Sequence, residues 1–191
     1  MEALFTSTAV VALAEIGDKT QLLAIVLAAR FGKPLAIIAG ILVATLANHF
    51  LAALVGAQAA SLLEGDWFRY LIAVSFIAMA AWTLIPDKLE EDEQKPVPFG
   101  AFLTTVIAFF LVEMGDKTQV ATVALGARYH DVIMVTAGTT LGMMLANAPA
   151  VLLGNQVLKV VPLNVVRMIA AGLFLLIGVW MLAQTAGWIG G

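Results

Sequence analysis

Two heptapeptides hold the residues able to do chemistry. They are Glu15-Ile16-Gly17-Asp18-Lys19-Thr20-Gln21 and Glu113-Met114-Gly115-Asp116-Lys117-Thr118-Gln119, each placing two carboxylates three residues apart inside an otherwise apolar stretch. On a helix, residues three apart lie on one face about a turn from each other, so each motif is expected to present its acid pair to a common point. A charged side chain at the centre of a bilayer costs roughly 3 kcal/mol on insertion scales, so four acids and two lysines amount to on the order of 15 kcal/mol unless they face one another, water or an ion. Ion pairing alone cannot cancel the acids, because Lys19 and Lys117 against Glu15, Asp18, Glu113 and Asp116 leave a formal charge of -2. One divalent cation would neutralise it, and so would two protons. Metal and protons therefore compete for the same carboxylates.

The neighbouring residue types suit a hard cation. Thr20, Gln21, Thr118 and Gln119 offer neutral oxygens beside the acids, Asn48 and Asn147 offer amide oxygens from other segments, and neither motif contains His or Cys. Such donors favour Mn²⁺, Ca²⁺ or Mg²⁺ over Zn²⁺ or Cu⁺. Lys19 and Lys117 sit about 100° around a helix from their neighbouring aspartates, and are expected to act as counter-charges to an acid of the other motif or to a carbonyl. Gly17 and Gly115 leave two readings open, a local unwinding that exposes carbonyls or close packing by a small residue. His49 is expected to be a packing histidine. No nucleophile or general base stands apart from the ligand set, so an enzyme is not expected.

The elements that must position these groups follow from composition. Of 191 residues, 62% are apolar and 12% charged, against about 25% charged in an ordinary soluble domain. Windows free of Asp, Glu, Lys and Arg run over 34–63, 70–86, 96–112, 132–158 and 168–191. A membrane helix needs about 20 apolar residues, and strict alternation is absent, so the expected fold is all-α, a polytopic membrane protein. Six transmembrane helices are expected near 3–29, 34–60, 68–86, 99–127, 132–156 and 166–187. The net charge of -3 does not point to nucleic acid, and the lack of cysteine excludes disulfides and thiolate metal sites. Nothing in the sequence sets an oligomeric state.

The second half repeats the first at an offset of 98, the step from Glu15 to Glu113. The motifs agree at six of seven positions, and the same step pairs Arg30 with Arg128, Gly40 with Gly138, Gly56 with Gly154, Arg69 with Arg167, Phe76 with Phe174 and Trp82 with Trp180. Asn48 is paired with Asn147 by a one-residue slip, which sets His49 opposite Ala148. Residues 1–86 and 99–191 thus form two three-helix repeats, and the acidic, proline-bearing stretch 87–98 joins them. An odd helix number inverts the second repeat and brings the two motifs together near the bilayer midplane. Arg30, Lys33, Lys88, Lys95, Lys159 and Arg167 fall on one side and only Arg69 and Arg128 on the other, so the linker is expected in the cytoplasm and both termini outside. Gly40, Gly56, Gly138, Gly142 and Gly154 are expected at helix contacts, and Trp82, Trp180 and Trp188 at the interface. The first apolar stretch lacks a basic leader and is read as mature protein, which favours a bacterial inner membrane.

Paired Glu-x-Gly-Asp-Lys-Thr motifs on three-helix halves, joined by an acidic linker, resemble the family of small cation/proton exchangers that includes the Golgi manganese and calcium transporters and the small bacterial manganese exporters of the MneA type. The resemblance covers nearly the whole chain. It implies export of Mn²⁺, and of Ca²⁺ as the alternative, in exchange for protons, with Glu15, Asp18, Glu113 and Asp116 as the cation site. The transported ion would be the only metal, with no resident cofactor. A passive divalent channel is the reading outside this mechanism.

Overall fold

The computed structural model describes residues 1–63, 65–85, 99–154 and 162–189. The expected linker at 87–98, with its acidic run and Lys88 and Lys95, lies outside them, as does Lys159. The described residues form eight helices and no strand: α1 (Glu2–Glu15), α2 (Lys19–Phe31), α3 (Pro34–Leu62), α4 (Asp66–Thr83), α5 (Ala101–Glu113), α6 (Lys117–Tyr129), α7 (Val132–Leu153) and α8 (Leu163–Thr185). By length and composition, α3, α7 and α8 are long and apolar enough to cross a membrane.

The expected continuous helices over 3–29 and 99–127 are each broken in two, at the motifs. Ile16 leaves helical geometry at ψ 114°, Gly17 takes φ 82°, and Asp18 enters α2 as an extended N-cap. Met114, Gly115 (φ 81°) and Asp116 repeat that path between α5 and α6. A positive φ costs a residue with a Cβ about 1–2 kcal/mol, which glycine avoids. Each break is pinned by a glutamine in the first turn of the following helix: Gly17 N–H donates to Gln21 Oε1 at 2.9 Å, and Gly115 N–H to Gln119 Oε1 at 2.6 Å. Unwinding is thus the reading of the two glycines that the backbone realises.

Packing is exchanged between the halves. Helix α1 lies against α7 as α5 lies against α3, α2 meets α7 as α6 meets α3, and α3–α7 and α4–α8 pack across the halves as well. Small residues make the close crossings: a Cβ on Gly40 would fall 2.7 Å from Thr105 Cβ, and one on Gly138 would fall 2.5 Å from Leu4 O. Gly154 departs from that expectation, since it closes α7 at φ 60° with no described residue within 4 Å of a Cβ built there. Phe76 of α4 and Phe174 of α8 meet at 6.1 Å between ring centroids in the larger apolar cluster.

Polarity is inside out. Leu35, Phe50, Val55, Leu145, Met168 and Leu176 are exposed, while all four motif acids and both motif threonines are buried. In water such a surface would be one large apolar patch; in lipid it is the expected exterior. The chain is a membrane protein by this distribution.

Candidate functional site

The breaks change how the acids are presented. Glu15 is the last residue of α1 and Asp18 the N-cap of α2, so the pair spans a turn and does not share a helix face as the spacing suggested. Glu113 and Asp116 are placed likewise on α5 and α6. The consequence is electrostatic. Glu15 and Glu113 stand at helix C-termini, where the converging carbonyl ends favour a cation, and Asp18 and Asp116 stand at N-termini, where the dipole favours a carboxylate.

Carboxylate oxygens of Glu15, Glu113 and Asp116 lie within 4.8 Å of one another, drawn from both motifs and all buried. Asp18 is 5% exposed but is not a member of that cluster. Lys19 Nζ lies 4.0 Å from Asp116 Oδ1, an acid of the other motif. Lys117 Nζ donates to Ile85 O at 3.0 Å and sits 5.9 Å from the Trp82 ring.

The two central glutamates are held differently. Glu15 accepts from Thr20 Oγ1 at 2.5 Å, from Thr118 Oγ1 of the other motif, and from Asn147 Nδ2 at 3.5 Å. Both threonines therefore serve one acid. Glu113 Oε2 lies 3.2 Å from His49 Nε2, and its Oε1 is buried with no hydrogen-bond partner among the described residues. Asn147 Oδ1 is in the same condition. Buried lone pairs without donors fit a site that takes an ion or a proton.

Not every expected oxygen faces this cluster. The Oε1 atoms of Gln21 and Gln119 are engaged by the motif backbone, and their Nε2 groups donate to Ala146 O at 2.9 Å and Asn48 Oδ1 at 2.5 Å. Both glutamines and Asn48 thus brace the breaks against α7 and α3. Asn147 reaches the acids.

These contacts also correct the repeat alignment. Helices α3 and α7 run unbroken past the residues concerned, and Gly40 is as far from Gly56 as Gly138 is from Gly154, so no slip can be accommodated. His49 is the counterpart of Asn147, each facing the Glu of the opposite repeat, and Asn48 is the counterpart of Ala146, each accepting from a motif glutamine. Matching Asn to Asn by letter hid His49 from the expected site. Arg167 was also missed as a site neighbour: counted with the charges that set orientation, it lies in α8 and its Nη2 donates to Gly17 O at 3.4 Å.

Comparison with known proteins agrees with this chemistry. Residues 3–91 and 101–188 match the family model described as divalent cation/proton antiporter GDT1. A Vibrio cholerae protein named "Putative manganese exporter" is 52% identical over 92% of this chain and 88% of its own length. GDT1-like protein 5 of Arabidopsis thaliana is 28% identical over 91% of the chain and 92% of its own length, and GDT1-like protein 3 of rice is 28% identical over 91% and 71%. No solved structure matches the chain. Two matched segments, one on each motif-bearing half, place this chain in the GDT1 family of divalent cation/proton antiporters.

Proposed function

We propose that this antiporter exports Mn²⁺ in exchange for protons by alternating access, using one ion site shared by the two motifs. The observation that carries the reading is the buried meeting of Glu15, Glu113 and Asp116 from opposite halves. Taken with Lys19 beside Asp116, that cluster has a formal charge of -2, which one divalent ion or two protons neutralise. Asp18 completes the acid set at the second helix N-terminus and Lys117 balances it. Asn147 and the threonines Thr20 and Thr118 supply neutral oxygens. The hard donors suit Mn²⁺, Ca²⁺ or Mg²⁺ over softer ions, and Mn²⁺ is preferred among them because the Vibrio relative carries that ion in its name.

In this reading each half, 1–86 and 99–191, is an inverted three-span unit. The broken pairs α1–α2 and α5–α6 each count as one span, giving six in all, as the exchanged packing of the halves supports. The linker 87–98 is cytoplasmic, both termini are outside, and the host is a bacterial inner membrane. Inward-facing carboxylates take the ion, release it outside, and return protonated.

Reconstituted vesicles test this. An imposed pH gradient is expected to drive Mn²⁺ flux, and Glu15→Gln and Glu113→Gln are each expected to lower it about 100-fold or more, as for groups that act only as a unit. Wild-type-like flux in both variants would overturn the site. Flux unaffected by the gradient and carrying no protons would favour a channel, and Ca²⁺ outcompeting Mn²⁺ would favour a calcium exchanger.

A further inference from the structure

We infer that His49 is a nitrogen ligand of the transported ion and sets the preference for a transition metal over Ca²⁺. The inference rests on the shared site proposed above and adds to it a residue from outside both motifs.

Three observations carry it. His49 is fully buried, and its Nε2 lies 3.2 Å from Glu113 Oε2 in the acid cluster. Two ligand atoms bound at right angles to one small divalent ion, each about 2.1 Å from it, are about 3 Å apart, so this pair is spaced as neighbouring ligands are. Second, hydrogen bonding leaves one ring nitrogen unsatisfied. Most buried side-chain nitrogens are hydrogen-bonded, whereas Nδ1 here has no hydrogen-bond partner among the described residues. The nitrogen that is engaged is the one directed at the Glu113 carboxylate, at the edge of the three-acid cluster.

Third, the position is equivalent to that of Asn147, whose amide faces Glu15. One repeat thus presents an amide to the site and the other an imidazole, at the same helical position. The amide meets Glu15 through Nδ2, and its oxygen, which has no hydrogen-bond partner among the described residues, is a hard donor that Ca²⁺ accepts as readily as Mn²⁺. Imidazole suits first-row transition metals and has little affinity for Ca²⁺ or Mg²⁺. A site that is otherwise all oxygen gains its discrimination from this one substitution within an internal repeat.

The equivalence supplies a conservative variant, because His49→Asn copies a side chain that the fold already holds at the matching place. In vesicles under a pH gradient, His49→Asn is expected to lower the Mn²⁺ to Ca²⁺ ratio of initial rates about tenfold while Ca²⁺ flux persists. Pulsed electron paramagnetic resonance of Mn²⁺ added to the purified protein is expected to show a ¹⁴N coupling that His49→Asn removes and that His130→Asn, at an exposed residue, leaves in place. An unchanged ratio, a parallel fall in both fluxes, or bound Mn²⁺ without nitrogen coupling would overturn the role of His49 and leave the shared site standing. Wild-type protein that neither binds nor moves Mn²⁺ would overturn both.

Discussion

The two motif loops have nearly the same sequence and the same backbone path, yet their surroundings differ. Around Gly17 the loop is buried beneath the start of α8: a Cβ there would fall 2.7 Å from Leu163 Cδ2, and Arg167 donates to the Gly17 carbonyl. Around Gly115 no described residue approaches a Cβ within 4 Å, and Met114 and Gly115 are exposed. Arg69, the repeat counterpart of Arg167, instead lines a cavity of about 670 Å³ with Arg128 and His130. Local sequence therefore writes the break, while tertiary packing decides whether it is covered. A repeat protein with one loop closed and one open has the asymmetry that an alternating-access cycle would exchange between its halves.

The largest effect expected from this contrast is on stability. Alanine at either glycine forces a left-handed backbone, at about 1–2 kcal/mol. At Gly17 the methyl also meets Leu163, adding about 1–3 kcal/mol of overpacking. Thermal unfolding in detergent should rank wild type above Gly115→Ala and Gly115→Ala above Gly17→Ala. Equal losses would show that α8 does not cover the first loop.

Much of this architecture was legible. Apolar windows located α3, α4, α5, α7 and α8, and the doubled motif pointed to the acids, because both signals are local and repeated. The helix breaks were legible only as one of two readings: Gly-Asp inside an apolar run interrupts neither hydropathy nor periodicity, and a packing glycine has the same letter. The roles of Gln21 and Gln119 were misread because an amide oxygen is a metal donor or a backbone brace according to what lies four residues before it in space. His49 was lost to the alignment of like letters, although the flanking glycines already set the register. Arg167 fell just inside the expected helix 166–187 and was counted with the charges that set orientation, because one charge at the edge of an apolar window reads as a helix end and not as a site group.

A second expectation concerns access. A non-helical backbone at membrane depth is tolerated where it faces protein or water, so a loop at Gly115 that the described residues leave uncovered is expected to line a water path. The chain has no cysteine, which makes single-cysteine labelling clean. Met114→Cys should react with a membrane-impermeant maleimide about tenfold faster than Ile16→Cys, its repeat counterpart in the covered loop. Matching rates would remove the distinction between the loops.

The smallest effect should come from the cover itself. The Arg167 to Gly17 hydrogen bond is long at 3.4 Å and part-buried, so its net worth is about 0.5–1.5 kcal/mol. Its removal in Arg167→Ala should shift an equilibrium between covered and open loops by roughly two- to tenfold, seen as faster labelling of Ile16→Cys with little change at Met114→Cys. Arg69→Ala should leave both rates unchanged in this state, because Arg69 lines a cavity away from the second loop. The reverse pattern, in which Arg69→Ala opens the second loop and Arg167→Ala does nothing, would mean that the population in the membrane is the opposite-facing one. Labelling from each side of sealed vesicles then separates the two cases, because the loop that reacts is the one whose water path reaches that side.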